Sequence, residues 1–456
     1  MELKNKRVLV VGLGKSGLAA ALFLRDRGAR VTVSDTRSAA ALAKEIPALL
    51  EAGIMVEAGG HGLLTFRRQD LIVVSPGVPL DTPEVEQARI LGLPIIGELE
   101  LASRFLKGKV VAITGSNGKT TTTTLIGKIL EEAGLPTLVG GNIGLPVIEL
   151  VGQSREEGWN VLEVSSFQLE TAVKFRPKIA LVLNITPDHL DRHKTFERYA
   201  AAKRKITEQQ GPEDFLILNA EDKASQMVAA HEGTHGRAQI FWFSGLRQIK
   251  QGAFAFGESV FFLARQGGKP EPVLPLGEIS LKGAHNVENV LAAVCAGKLA
   301  GVSSESIRAS VGRFRGVEHR LELVRTLNGV EYYNDSKATN VDATMKAVAS
   351  FGGGVHLILG GKDKDSDYTL LTALVRERVA VVYTIGSAAE KIERQLCGVA
   401  KIVRAETLNE AVQMAARSAE EGDTVLLAPA CSSFDQFENY EHRGRVFREV
   451  VAQLKG

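Results

Sequence analysis

The chain has 456 residues, a length that suggests about three domains. Hydrophobic residues make up 45% and charged residues 24%, a globular balance that excludes disordered and fibrous classes. Lys and Arg number 55 against 53 Asp and Glu, so the net charge of +2 gives no electrostatic case for nucleic acid or a membrane surface as partner. The three cysteines, Cys295, Cys397 and Cys431, are far apart and odd in number, which excludes a disulfide framework or a paired-cysteine metal site and fits a reducing cytoplasm. The N-terminus runs straight into a strand-like segment without an apolar leader core, so a secretory leader is not expected. The longest uncharged stretch, 133–148, contains Pro136 and Pro146, is too short to span a bilayer and reads as a loop-rich site segment.

Short β-branched runs at 8–11, 31–34 and 71–74 alternate with helix-like stretches, and a strand pattern at 94–97 closes a first block, 1–98. A second block, 99–315, has strand patterns at 110–114, 161–164 and 179–185. Between Phe241 and Pro275 it turns aromatic and glycine-rich, which predicts an antiparallel insertion. A third block, 316–456, begins where the helix-like 304–314 gives way to Gly316 and continues with strands at 330–333, 356–359, 381–385 and 424–428. Alternation of this kind predicts an α/β protein with parallel sheets.

In the first block, Gly12-Leu13-Gly14-Lys15-Ser16-Gly17 follows a strand and opens a helix, and Asp35 ends the second strand. On spacing this is a dinucleotide fingerprint with Asp35 as a candidate ribose ligand, and it specifies a pyrophosphate more firmly than a nicotinamide. Ser75-Pro76-Gly77 makes another turn at the same sheet edge.

The strongest signal lies in the second block, where strand 110–114 leads into Gly115-Ser116-Asn117-Gly118-Lys119-Thr120 and then the helix-like 121–132. Two glycines let backbone N–H groups turn inward, the helix N-terminus favours an anion, Lys119 reaches toward terminal phosphates and the Thr120 hydroxyl can ligate Mg²⁺. The loop is shorter than the common P-loop, since Ile113 stands where a glycine is usual. Glu163 ends a neighbouring strand, and Asp188, His189, Asp191 and His193 gather past the end of another, where ligands of open α/β sheets bind. In the third block three strand ends carry Asn334-Asp335-Ser336-Lys337-Ala338-Thr339-Asn340, Gly360 to Asp365, and Pro429-Ala430-Cys431-Ser432-Ser433-Phe434. Lysine with hydroxyls suits a small acid bearing carboxylates.

This constellation resembles the Mur ligase family, the ATP-dependent amide-forming enzymes of peptidoglycan precursor synthesis. The likeness is carried by the short Gly115–Thr120 loop, by Gly140 to Pro146, LEVSSFQLE from Leu162, NITPDHLDR from Asn184, NDSKATN from Asn334 and PACSSFDQF from Pro429. Within the family it looks closest to the members that add D-glutamate to UDP-N-acetylmuramoyl-L-alanine. The resemblance implies three domains: a Rossmann-like N-terminal domain for the UDP substrate, a central P-loop-type ATPase domain with a mostly parallel sheet, and a Rossmann-like C-terminal domain for the amino acid. It replaces the nicotinamide reading, placing Leu13, Gly14, Lys15, Ser16, Asp35, Thr36, Arg37, Ser75 and Gly77 around uracil and pyrophosphate. It assigns Gly115, Ser116, Asn117, Gly118, Lys119, Thr120 and Thr121 to ATP, with Asn286, Asn289, His319, Arg320 and Asp335 around its adenine, ribose and phosphates. Two Mg²⁺ ions fall to Thr120, Glu163, His189 and Lys203, and Asn142 and Ser166 to the muramoyl substrate. Lys203 matches a position that is carbamylated in the family; the residues alone read it as a solvated helix face. Thr339, Lys364, Ser433 and Phe434 match the positions that receive D-glutamate, and Phe434 and Tyr440 depart from the usual leucine and phenylalanine.

The expected reaction is a two-step ligation through an acyl phosphate, with Lys119, His189 and Lys203 as the catalytic set and hinge closure near Gly316. A cytoplasmic monomer acting on small molecules is expected. Three rivals use parts of the same signal: a nicotinamide-dependent dehydrogenase, a non-catalytic P-loop switch, and a ligase of the family that takes L-alanine, a diamino acid or folate. Against the diamino-acid branch, no Asp-Asn-Pro-Arg segment occurs in the third block.

Overall fold

A computed structural model describes residues 1–231 and 238–455. The described residues form an α/β protein with three sheets. The first is five-stranded and parallel, in spatial order Met55–Ala58, Arg30–Asp35, Arg7–Val11, Leu71–Val74, Ile95–Gly97. Strand order reverses beside Arg7–Val11, which opens a crevice at the C-terminal strand ends. Val8 and Val10 on one face pack with Ala20, Ala21 and Leu24 of the helix Lys15–Asp26, while Leu9 and Val11 on the other join Phe66 and Val85. Both faces are therefore buried, as the nearly continuous apolar runs of parallel strands require.

The second sheet has nine strands, in order Glu271–Pro275, Ser259–Leu263, Gly252–Phe256, Gln239–Ser244, Phe215–Asn219, Ile179–Val182, Lys109–Thr114, Trp159–Glu163, Thr137–Gly141. Lys109–Thr114 thus lies between the strands that deliver Glu163 and the Asp188–His189 loop. The expected antiparallel insertion is half right. Ser259–Leu263 and Glu271–Pro275 pair antiparallel, but Gln239–Ser244 and Gly252–Phe256 add in parallel to the preceding strand. The connection between those two covers only 245–251, shorter than the dozen or more residues a parallel crossover usually needs, so the sequence pattern reads as a hairpin. Gly252 makes the approach feasible, since a Cβ there would lie 1.8 Å from the Trp242 carbonyl oxygen. The stretch 133–148 is less loop-like than its composition suggests, because Thr137–Gly141 forms the sheet's edge strand.

The third sheet has six strands, in order Glu322–Leu327, Val330–Asn334, Thr424–Leu427, Val355–Gly360, Val379–Ile385, Lys401–Glu406, parallel except for the first. Its three central strands end in the three loops singled out from sequence. Leu357, Leu359 and Leu426 fill the core on one face, and Ile358, Val425 and Leu427 that on the other.

The chain divides into two compact units, Met1–Leu276 with Asn289–Val311, and Gly277–Glu288 with Gly312–Gly456. Among the described residues no helix is long and apolar enough to cross a membrane.

Candidate active site

At the first crevice, Gly12 has φ +87°, and the Ser75 hydroxyl donates to its carbonyl at 2.8 Å, joining two strand-end loops. Gly17 is required by contact: a Cβ would lie 1.9 Å from the Gly12 carbonyl oxygen. Asp35 accepts the Leu13 backbone N–H at 2.7 Å and is gripped by the Arg37 guanidinium at 3.0 and 3.1 Å. Burial works to raise its pKa, but these bonds hold it below the ordinary range. Its oxygens thus fix the turn at the edge of the crevice. Gly14, Lys15, Thr36, Arg37 and Gly77 are exposed around the crevice and Ser16 is half-buried.

In the central sheet, Gly115 and Gly118 have φ +153° and +85°, and Gly118 caps the helix Lys119–Glu132. A Cβ on Gly118 would meet Asn289 Oδ1 at 2.2 Å, so that asparagine lies directly against the loop. Thr121, in the first turn, is buried. The Asn117 N–H donates to Asn184 Oδ1 at 2.8 Å, and the Ser116 hydroxyl donates to the Thr186 carbonyl at 2.9 Å while contacting the Tyr199 hydroxyl at 3.0 Å. The Lys119 ammonium donates to the carbonyls of Gly115 and Ser116, both at 2.8 Å. It is thus folded over its own loop, where a triphosphate would offer stronger acceptors.

Glu163 is 1% exposed; its Oε2 accepts the Thr120 hydroxyl at 2.7 Å and its Oε1 the Asn142 amide at 2.8 Å. Carboxylate beside hydroxyl offers two hard oxygens at the loop's end, and the donor set fits Mg²⁺, which takes one or two carboxylates and completes its shell with water and phosphate. Among the described residues no group of three or more His, Cys, Asp or Glu could hold a metal ion unaided.

Lys203 is 1% exposed, donates to the Gly115 carbonyl at 2.7 Å and lies over the Tyr199 ring at 4.6 Å. Burial and then the Lys119 charge push its pKa well below the lysine range, against the pull of Asp188 and Glu163. The solvated-face reading from residues alone is overturned. His189 has φ +54° and places Nε2 3.6 Å from Asp188 Oδ2. His193 is buried, contacts the Ser166 hydroxyl at 2.9 Å and stacks on Phe167; desolvation, then the His189, Arg192 and Lys203 charges, lower its pKa to about 4.

In the second unit, Asn286 donates to the Lys282 carbonyl at 2.7 Å. His319, at φ +65°, contacts the Asn334 amide at 2.9 Å. Burial raises the Asp335 pKa to about 7, opposed by Arg320. The strand-end loops lock together: Ala430 N–H bonds the Ala338 carbonyl at 2.9 Å, and Lys362 and Ser432 form a two-way backbone bridge. Thr339 is half-buried, Ser433 buried, Lys364 exposed and Phe434 67% exposed.

Sequence reasoning passed over Asn184, Tyr199 and Arg443. Asn184 sits inside a quoted motif, and Tyr199 precedes Lys203 by four positions, the helical spacing that puts both on one buried face. Arg443, in the helix Tyr440–Gln453, gave no signal: an arginine between His442 and Gly444 reads as a surface charge, yet it is fully buried.

Family models match three stretches: the MurD-like N-terminal domain of the Mur ligases over 6–97, the Mur ligase middle domain over 113–297, and the Mur ligase glutamate ligase domain over 319–431. The UDP-N-acetylmuramoylalanine–D-glutamate ligase of Acidobacterium capsulatum is 66% identical over 456 residues, covering 100% of this chain and 98% of that protein. The protein of the same name from Koribacter versatilis is 58% identical over 454 residues, covering 100% and 99%. Among solved structures, a pseudomurein peptide ligase type C from Methanothermus fervidus superposes with a TM-score of 0.62 at 20% identity, covering 99% of this chain and 100% of that one. UDP-N-acetylmuramate-alanine ligase from Thermotoga maritima gives 0.61 at 19%, with the same coverage. At such identity the structures speak for the fold; the three matched stretches and the full-length relatives establish that the chain belongs to the Mur ligase family.

Proposed function

We propose that this protein joins D-glutamate to UDP-N-acetylmuramoyl-L-alanine, with cleavage of ATP to ADP and phosphate, in cytoplasmic peptidoglycan precursor synthesis. The observation that carries the reading is end-to-end identity of 66% with a relative named for that ligation. The glycine loop with Lys119, Thr120 and Glu163 supports its phosphoryl-transfer half. In this reading 1–98 binds the UDP substrate, 99–315 binds ATP and 316–456 binds the amino acid, in a monomer whose partners are small molecules.

The alanyl carboxylate attacks the γ-phosphorus as the bond to the β,γ-bridging oxygen breaks, giving an acyl phosphate and ADP. The D-glutamate amine then attacks the acyl carbon, loses a proton and expels phosphate. The first step brings two anions into contact, so positive charge must stand between them. We assign that task to Lys119, which exchanges its loop carbonyls for phosphate oxygens, and to the N–H groups from Gly115 to Thr121. Asn289 and Asn286, with His319, Arg320 and Asp335, are assigned to the rest of the nucleotide. Two Mg²⁺ ions, held by Thr120, Glu163, His189 and Lys203, would supply further neutralisation of phosphate charge.

Lys203 serves that set only as a carbamate, formed when its neutral amine adds to carbon dioxide and releases a proton. Its depressed pKa supports this, because burial disfavours the ammonium and so favours the nucleophilic free amine. His189 is assigned also to the proton that leaves the incoming amine. Leu13, Gly14, Lys15, Ser16, Asp35, Thr36, Arg37, Ser75 and Gly77 are assigned to the uridine diphosphate, with Asn142 and Ser166 on the muramoyl portion. Thr339, Lys364, Ser433 and Phe434 are assigned to D-glutamate. The test is phosphate release from ATP with UDP-N-acetylmuramoyl-L-alanine and, in turn, D-glutamate, L-glutamate, L-alanine and meso-diaminopimelate. Stimulation by D-glutamate alone is expected; stimulation by another acceptor overturns the reading.

A further inference from the structure

Arg443 is 0% exposed, and no carboxylate bonds it among the described residues. Burial lowers its pKa to about 10, so it remains a cation at neutral pH. Its five N–H donors are all engaged. Nε donates to the Ser336 hydroxyl at 3.0 Å, Nη1 to the carbonyls of Cys431 and Ser432 at 3.2 and 3.4 Å, and Nη2 to the carbonyls of Ser336 and Cys431 at 2.8 and 3.2 Å. The Ser336 hydroxyl in turn donates to the Tyr440 carbonyl at 2.8 Å, tying the loop to the start of the arginine's own helix. A third loop closes on the same group, because a Cβ on Gly361 would come within 3.1 Å of Nη1 and 2.4 Å of the Ser432 carbonyl oxygen.

A buried charge is costly even with the Asp435 carboxylate near enough to favour it, and a planar fork can hold carbonyls on two separate loops at fixed angles. We propose that Arg443 is a positioning residue for the incoming amino acid: it fixes the spacing between the loop that carries Thr339 and the loop that carries Ser433, and thereby sets how well D-glutamate is held. This rests on the assignment of those two residues to D-glutamate. Ser336 lies three positions before Thr339, and Ser432 immediately before Ser433, so loosening the clamp moves both contacts at once. Binding constellations tolerate only about 0.5 Å of such movement.

The test is Arg443→Lys, which keeps the charge and most of the volume but presents its donors from one point. The expected result is a rise of about tenfold in KM for D-glutamate, a smaller rise in KM for ATP because Asp335 adjoins the clamped Ser336, and a KM for UDP-N-acetylmuramoyl-L-alanine within about twofold of wild type. Arg443→Ala is expected to regain part of its D-glutamate affinity with added guanidinium and none with methylammonium. Equal changes in all three KM values, or an unchanged KM for D-glutamate, overturn the proposal. If the lysine variant does not fold, Ser336→Ala, which removes the Nε acceptor, is read on the same three constants, with a D-glutamate-selective rise expected. Thr339→Ala and Ser433→Ala run alongside. If neither raises KM for D-glutamate, the assignment of the amino-acid site has failed; if they do and Arg443→Lys does not, the clamp alone has failed.

Discussion

Replacing Glu163 by glutamine separates the structural duty of this carboxylate from its chemical one. The carboxylate accepts two bonds, from Thr120 at 2.7 Å and from Asn142 at 2.8 Å. A glutamine amide has one acceptor and one donor end. Turned with its NH₂ toward Asn142 it would set two amides donor to donor; turned the other way its oxygen keeps the Asn142 bond, and the Thr120 hydroxyl reverses to accept. The fold therefore has a satisfied state available. Two charge-assisted bonds become neutral ones, a loss of about 1 kcal/mol each, partly offset because a buried charge is removed. A net cost of about 1 kcal/mol corresponds to a fall in Tm of roughly 2–4 °C. Catalysis should fare far worse, since both the anionic ligand and the acceptor that orients the Thr120 hydroxyl are gone. A loss of about 10²–10³ in kcat, or about 3–4 kcal/mol of transition-state stabilisation, is expected. Coupled ADP release with both carboxylate substrates, beside a thermal melt, reads the two effects independently. A variant with near wild-type kcat, or one that loses activity only because it has unfolded, refutes the assignment.

Lys203→Ala is expected to lose at least about 10²-fold in turnover and to regain part of it with short-chain carboxylic acids that supply the missing anion; full activity without added acid would exclude the carbamate role. His193, lowered to about 4 from an unfolded value of about 6.5, is neutral in the fold and protonated in the unfolded chain between those limits. Stability linked to it is complete above about pH 6.5 and is lost as pH falls toward 4, amounting to about 2 kcal/mol at pH 5. Urea melts at pH 7.5 and 5 should show a steeper loss for wild type than for His193→Asn, and equal slopes would place the histidine's pKa elsewhere. Gly17→Ala sets a methyl 1.9 Å from the Gly12 carbonyl oxygen, so the first crevice must open. A cost of about 2–3 kcal/mol and weakened binding of UDP-N-acetylmuramoyl-L-alanine are expected by calorimetry, and unaltered binding would show that the crevice is not its seat.

The parts of the site that sequence made legible are those in which local order carries the chemistry. Strand, glycine, lysine, threonine and helix succeed one another from Lys109 to Glu132, and the structure forms the cradle from that single run. What sequence did not carry is the state of a charge, which is fixed by packing between distant segments. The residues of Phe196–Arg204 read as a polar helix face, yet Tyr199, Ala202 and Lys203 turn inward, and the lysine meets the Gly115 carbonyl 88 positions away in the chain. Asp35 shows the same limit: its place at a strand end is read from spacing, but its grip by Arg37, two residues on, is not. Arg443 joins loops that begin more than 90 positions apart, and nothing beside it in the helix distinguishes it from Arg445, which lies on the solvent side. In each case residue type alone leaves open whether a cation neutralises substrate, braces backbone or meets water. Burial and the acceptors within reach decide among these, and so Lys119, Lys203 and Arg443, all basic residues in helices, are held in three different ways: over their own loop, under it, and between two loops.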